Sequence, residues 1–276
     1  DNFEQALIDL GYDDTLDDYV LTANISVVTS LNVSQKEISN LTGIESFTAL
    51  THLQCEYNSL TTLDVSSNTS LTHFDCGGNQ LTTLDVSNNT ALFSFECYDN
   101  QLTSLDVSNN TNLDELYCQN NQLTSLDVSS NTALTDLACE SNKLTSLDVS
   151  SNTALTYLYC KGNQITSLDV SSNIALTELS CWGNQLTYLN MRNGITDALK
   201  IFNATSNSSL TCIETLDPDY ATANWISSNG NIDIDAGVTF AVICGGTDLT
   251  TWHVATTGSD ASGSGTETSP LATIQT

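Results

Sequence analysis

The chain has 276 residues, of which 39% are hydrophobic, and its 33 acidic residues against five basic ones give a net charge of −28. Such a charge argues against nucleic acid as a partner, because phosphate backbones are bound through cationic side chains. No run of 18 apolar residues is present, which argues against insertion into a membrane. Cations, basic proteins and uncharged polymers remain as partners.

Residues 1–24 are predicted to form a helical N-terminal cap. Phe3, Leu7 and Leu10 recur at a spacing that places them on one face of a helix. Gly11 follows as a natural helix stop, because glycine adopts the left-handed conformation that ends many helices. The cap would cover one end of the repetitive structure that follows.

Residues 25–212 are predicted to form a solenoid. An irregular first coil precedes seven regular 21-residue repeats over residues 50–196, each reading Leu-x-x-Leu-x-Cys-x-x-Asn-x-Leu-Thr-x-Leu-Asp-Val-Ser-x-Asn with small departures. A fixed period of this length is typical of coils that contact only their neighbours. Both halves of the repeat alternate with a period of two, which predicts short parallel strands on both faces of a β-rich solenoid.

The repeat places one cysteine in every regular coil. These are Cys55, Cys76, Cys97, Cys118, Cys139, Cys160 and Cys181. Stacked coils hold equivalent side chains parallel and about 4.8 Å apart, which suits a disulfide poorly. They are interpreted as buried free thiols that pack as small hydrophobic groups, and a column of metal ligands is the alternative.

Two further cysteines lie outside the repeats. Cys212 immediately precedes residues 213–244, which are expected to form a C-terminal cap, and Cys244 ends them. A disulfide between them would staple that cap and would indicate an oxidising, extracellular setting.

Two columns of asparagine end the two halves of the coils. The first comprises Asn58, Asn79, Asn100, Asn121, Asn142, Asn163 and Asn184, and the second Asn68, Asn89, Asn110, Asn131, Asn152 and Asn173. An inward asparagine at a corner can bond backbone groups of its own and neighbouring coils, which would otherwise be buried without partners. The predicted role is structural.

The signature Leu-x-x-Leu-x-Cys-x-x-Asn-x-Leu resembles that of leucine-rich-repeat proteins, and the second half-repeat resembles the 21-residue bacterial class. The resemblance covers residues 25–212 and implies the leucine-rich-repeat fold. The cap segments resemble those of secreted or surface proteins of Bacteroidetes-type bacteria. Residues 245–276 are interpreted as a linker and the truncated start of a domain that resembles a parallel β-helix.

The first-half strand carries outward side chains that differ in every coil. Its aromatic and acidic members are the candidate ligand-binding residues: Tyr98, Tyr117, Tyr157, Tyr159, Trp182, Glu96, Glu115 and Glu178. Exposed tyrosine and tryptophan are favoured interface anchors, and their rings can stack on sugars. Drift at tolerant surface positions is the alternative explanation of the variety.

The second-half strand has outward residues that hardly vary and include a column of six carboxylates. These are Asp64, Asp85, Asp106, Asp127, Asp148 and Asp169. Stacked like charges repel, so something must offset them. Local hydrogen bonds to serine, bridging calcium or sodium ions, and a lattice-matching array are the three interpretations, which makes calcium the one candidate cofactor.

The sequence therefore predicts an extracellular, secreted or surface-attached module that binds a polysaccharide or a surface protein and acts in adhesion. An accessory domain of a polysaccharide-degrading β-helix enzyme and a structural spacer or filament subunit are the alternatives. Catalysis is not predicted, because His52 and His73 lack a nucleophile and an orienting partner. The oligomeric state is left open.

Overall fold

The computed structural model describes residues 2–194, 197–225 and 231–245. Contacts divide the chain into residues 1–242 and 243–276, and only the first three residues of the second unit are described. The predicted β-helix start therefore lies outside the described residues. Within the described ranges, no helix is long and apolar enough to cross a membrane.

Helices occur only near the ends of the described chain. They are α1 (Asn2–Asp9), α2 (Thr22–Ile25) and α3 (Pro218–Asn224), with one 3-10 turn at Ile44–Ser46. Helix α1 buries Phe3 and Leu7, and the Phe3 ring lies 6.3 Å from that of Phe47 in the first coil. The prediction for Leu10 is wrong: it is 46% exposed, because the helix ends at Asp9 and Gly11 turns the chain away at φ +80°.

The main sheet has ten parallel strands. They are β1 (Ser30–Asn32), β2 (His52–Gln54), β3 (His73–Asp75), β4 (Ser94–Glu96), β5 (Glu115–Tyr117), β6 (Asp136–Ala138), β7 (Tyr157–Tyr159), β9 (Glu178–Ser180), β11 (Ile201–Asn203) and β13 (Ile232–Asp233). The pairing is in register, so that Leu53 lies opposite Phe74 and Phe74 opposite Phe95. Each repeat position thereby becomes a column across the sheet.

A second sheet forms only at the C-terminal end, from β8 (Ser167–Asp169), β10 (Tyr188–Asn190), β12 (Cys212–Glu214) and β14 (Thr239–Ala241). In the coils before β8, the second half-coil forms one backbone hydrogen bond to the previous coil. This bond lies at the start of the half-coil, as from Gln80 N to Leu60 O at 2.8 Å. The leucine of this half is partly exposed at Leu63 and buried at Leu168, which lies in the first strand of this sheet. Strands on both faces are therefore confirmed only for the coils at the C-terminal end.

The first asparagine column joins consecutive coils as predicted. The Oδ1 atom of Asn121 accepts a hydrogen bond from Leu102 N at 2.9 Å, and its Nδ2 group donates to Cys97 O and Cys118 O at 3.0 and 3.2 Å. One buried side chain thus satisfies backbone groups of two coils. Asn207 makes equivalent bonds in the degenerate last coil, to Leu186 N and Cys181 O.

The second asparagine column is only half satisfied. Asn89 donates from Nδ2 to Val65 O and Asn68 O, both at 3.0 Å. Its Oδ1 atom is buried without a partner among the described residues, and the same holds for the other five members of the column. This column therefore links coils only through its donors.

All seven repeat cysteines are free and fully buried, as predicted. Burial raises the pKa of Cys118 to about 12, because the interior disfavours a thiolate. Cys212 and Cys244 form the predicted disulfide.

Replacing Asn121 by alanine should lower the free energy of unfolding by at least about 2 kcal/mol, because Leu102 N and Cys97 O would lose their partner inside the protein. Asn109→Ala is the matched control, since Asn109 is exposed and makes one long bond of 3.4 Å. Its cost should stay below about 0.5 kcal/mol. Guanidinium midpoints compare the two, and equal midpoints would contradict the structural role.

The native protein should show almost no thiol reaction with Ellman's reagent at pH 8, because the seven free thiols are buried and their pKa values are raised. In guanidinium, seven thiols per chain should react at once. Nine reactive thiols per chain would show that Cys212 and Cys244 are not bonded. Rapid reaction of the native protein would contradict burial of the seven repeat cysteines.

Candidate functional site

The variable face is defined here as the outward positions of the first half-coil, from His52, Gln54 and Glu56 in the first regular coil to Glu178, Ser180 and Trp182 in the last. The ten-stranded sheet presents all of them on one side, because side chains alternate along each strand. It also brings together all the candidate ligand-binding residues: Tyr98, Tyr117, Tyr157, Tyr159, Trp182, Glu96, Glu115 and Glu178.

The variable face is strongly acidic. Seven of its positions are acidic, namely Glu56, Asp75, Glu96, Glu115, Asp136, Glu140 and Glu178, against the single cation Lys161. Lys161 lies 3.8 Å from Glu140. The potential over this surface is therefore negative and attracts cationic groups.

Several of these carboxylates are partly dehydrated. Burial and the neighbouring Glu96 and Glu56 charges raise the pKa of Asp75 to about 7, although its Oδ1 atom accepts a hydrogen bond from Gly77 N at 2.9 Å. Burial likewise raises the pKa of Glu96 and, despite its ion pair, of Glu140. A cation placed over these groups would offset both the free-energy cost of desolvating the carboxylates and their mutual repulsion.

One group of aromatic residues lies toward the C-terminal end of the face. Tyr157 and Tyr159 extend from strand β7, and Trp182, two residues beyond β9, is 43% exposed. The Tyr159 hydroxyl donates to Glu178, so that this carboxylate fixes the ring. The group combines exposed aromatic surface with an internally held orientation.

A second aromatic group, near the N-terminal end, was not predicted. The rings of Tyr57 and Tyr98 meet edge to face with centroids 6.1 Å apart. They lie over Gly77 and Gly78 of the intervening coil, where an added Cβ would stand only 2.4 and 2.5 Å from the Tyr98 and Tyr57 rings. The two glycines thus make room for the two tyrosines.

The sequence carries a signal for this pair. Each coil turns through a left-handed residue at one position, filled by Gly78, Gly162 and Gly183 in three coils but by Tyr57 at φ 54° in another. A bulky residue in this conformation is uncommon and indicates a compensating contact. The signal is weak in the sequence, because the contact joins residues two coils apart.

The aspartate column on the opposite side is held by local bonds. Asp106 Oδ1 accepts from Ser108 N at 2.9 Å, and the bonds to Ser108 lower the pKa of Asp106. The other five aspartates bond the serine two residues on in the same way. Nowhere in the described ranges do three or more His, Cys, Asp or Glu side chains group closely enough to hold a metal ion. Cation bridging along the column stays a prediction.

Comparisons with known proteins place the fold among leucine-rich-repeat structures. A leucine-rich-repeat protein of Leptospira interrogans superposes with a TM-score of 0.57 at 20% identity, covering 70% of this chain and 51% of that one. Internalin C2 of Listeria monocytogenes gives 0.57 at 19% identity, covering 77% of this chain and 91% of that one. The predicted leucine-rich-repeat solenoid is thereby confirmed.

In sequence, 51 residues, or 18% of the chain, are 43% identical to internalin J of Listeria monocytogenes. The match spans only 6% of internalin J. No protein-family model matches the chain. The chain thus has the fold of leucine-rich-repeat structures, and a segment of 51 residues is similar to part of a Listeria internalin.

The contribution of Asp75 to stability should decline as the pH rises from about 4 to about 7, because its folded-state pKa is raised and the folded protein holds its proton more tightly than the unfolded chain. Asp75→Asn should flatten this part of the stability profile, measured as urea midpoints over the pH range. Asp106→Asn is the control: its pKa is lowered, so its contribution is lost only at lower pH. Parallel profiles for the wild type and Asp75→Asn would contradict the dehydrated carboxylate.

Proposed function

We propose that the chain is a binding module of an adhesion protein, and that its variable face docks a surface protein through that partner's lysine and arginine side chains. The observation that carries the proposal is the composition of the face, which has seven carboxylates, five aromatic side chains and one cation. Desolvated acids such as Asp75 and Glu96 gain from an incoming cation. Charge complementarity of this kind speeds encounter and selects partners.

The architecture of the face supports binding over a broad area. The ten strands are paired in register, and contacts such as that of Tyr159 with Glu178 hold the side chains in place before a ligand arrives. Preorganised side chains lose little conformational entropy on binding. Tyrosine and tryptophan supply the large contacts that dominate interface energies.

We place this activity outside the cell, in a secreted or surface-attached protein of bacterial origin. The Cys212–Cys244 disulfide supports an oxidising environment. The partial similarity to internalin J supports adhesion as the biological role. A Bacteroidetes-type source and a β-helix in the parent protein remain predictions.

A polysaccharide is the second candidate ligand. The observation in its favour is the group formed by Tyr157, Tyr159 and Trp182, in which two half-buried tyrosines on β7 neighbour an exposed tryptophan just beyond β9, and whose rings can stack on sugar rings. An accessory role beside a polysaccharide-degrading β-helix would fit this ligand. A spacer or filament subunit would bind neither class of ligand.

The test compares three variants with the wild type on arrays of basic peptides, acidic peptides and glycans. Asp75→Asn/Glu96→Gln removes two carboxyl groups from the variable face, and Asp85→Asn/Asp106→Asn removes two from the opposite side; binding is measured at pH 8, above the pKa of Asp75. We expect salt-sensitive binding to basic peptides that falls at least tenfold in the first variant and is unchanged in the second.

The third variant, Tyr157→Ala/Tyr159→Ala/Trp182→Ala, separates the two candidate ligands. Glycan binding that is lost in this variant, without binding to basic peptides by the wild type, would replace the protein ligand by a polysaccharide. Equal losses in the two charge variants would show that net charge, and not the variable face, drives binding. Wild-type protein that binds no probe would overturn the proposal in favour of a spacer.

A further inference from the structure

Two histidines stand side by side on the variable face in a geometry that neither the proposed ligand nor the core requires. His52 on strand β2 and His73 on strand β3 are direct partners in the parallel register. Both are exposed, and their imidazole rings stack with centroids 4.3 Å apart and planes within 8° of parallel. Phe93 flanks the pair on one side, 5.9 Å from the His73 ring.

A threonine holds each ring by the same nitrogen. Thr51 Oγ1 lies 2.9 Å from His52 Nδ1, and Thr72 Oγ1 lies 3.0 Å from His73 Nδ1. Each hydroxyl also donates its hydrogen to a carbonyl of the preceding coil, Thr29 O at 2.9 Å and Thr51 O at 3.1 Å.

These bonds favour one tautomer of both imidazoles. A hydroxyl has one hydrogen, and when it is donated to the carbonyl the hydroxyl oxygen accepts from Nδ1–H. In that tautomer the neutral ring carries its lone pair on Nε2. Within the described part of the chain, the Nε2 atoms of His52 and His73 take part in no hydrogen bond. An outer hydrogen bond that sets the tautomer in this way is how proteins prepare histidines for metal binding.

We propose that His52 and His73 form a binding site for a divalent transition-metal ion of the zinc or nickel class, held by the two Nε2 atoms. Imidazole nitrogen suits these ions. Bonds of about 2.0 Å at a tetrahedral angle bring two nitrogens about 3.3 Å apart. The two exposed rings, stacked with centroids 4.3 Å apart, therefore need to tilt toward each other at their outer edges, so that both Nε2 lone pairs point at one ion. The chain's net charge of −28 concentrates cations around the site.

The site has two protein ligands. The described part of the chain offers no third His, Cys, Asp or Glu close enough to complete a set of three. The remaining coordination positions stay open to water or to a donor group of a bound partner. Metal binding by these two histidines does not depend on which ligand the variable face binds.

The first test is calorimetric titration of the folded protein with nickel and zinc chloride. The buried repeat thiols are inaccessible to the ions. We expect one ion per chain, and at least a tenfold loss of affinity in His52→Ala and in His73→Ala. His253→Ala is the matched control, because it removes the third histidine of the sequence and should leave the affinity unchanged.

The second test addresses the threonines and the tautomer. Nitrogen-15 spectra of histidine-labelled protein should show Nδ1–H on two rings, and Thr51→Val/Thr72→Val should weaken nickel binding several-fold with the melting temperature little changed. Nε2–H tautomers in the wild type, no binding by the wild type, or equal binding by the wild type and His52→Ala/His73→Ala would each overturn the proposal.

Discussion

The need to satisfy backbone groups at the buried corners of the coils governs this structure. A solenoid turns its chain sharply inside its own core, where a backbone amide or carbonyl without a partner is costly. The inward asparagine of the first column meets this need, since one side chain accepts from one coil and donates to two. Its bonds reach the preceding coil, so neighbouring coils have to make the same turn at matching positions.

Because the interior residues determine the fold, the outward residues can vary. Leucine, cysteine and asparagine occupy the inside of every regular coil, so stability depends little on what the outward positions carry. Those positions have become a surface of carboxylates, aromatic rings and two aligned histidines. In-register pairing converts each of them into a column, and residues 21 apart in the sequence become neighbours. Outward residues from several coils can therefore form one binding site without disturbing the fold.

Much of this was predictable from periodicity, because a period constrains every coil at once. The solenoid, the buried thiols, the first asparagine column and the disulfide follow from residue type and spacing. The restriction of the second sheet to the C-terminal coils does not, since the second half-repeat has nearly the same sequence in coils with and without a strand there. The Tyr57–Tyr98 pair could not be predicted from the repeat either. Its rings meet over the glycines of the intervening coil, so the contact involves three coils and is not visible in any single repeat.

The unequal linkage of the two sides has a mechanical consequence. On the variable side, every regular coil is tied to the next by paired strands, as Thr72 N and His73 N both bond Thr51 O. On the other side of the early coils, one backbone bond and the donors of the second asparagine column make the link. Bending that spreads the aspartate side breaks few bonds, whereas stretching the variable side breaks many. The early regular coils should therefore bend by opening on the aspartate side, while the spacing of the binding residues on the variable side stays fixed.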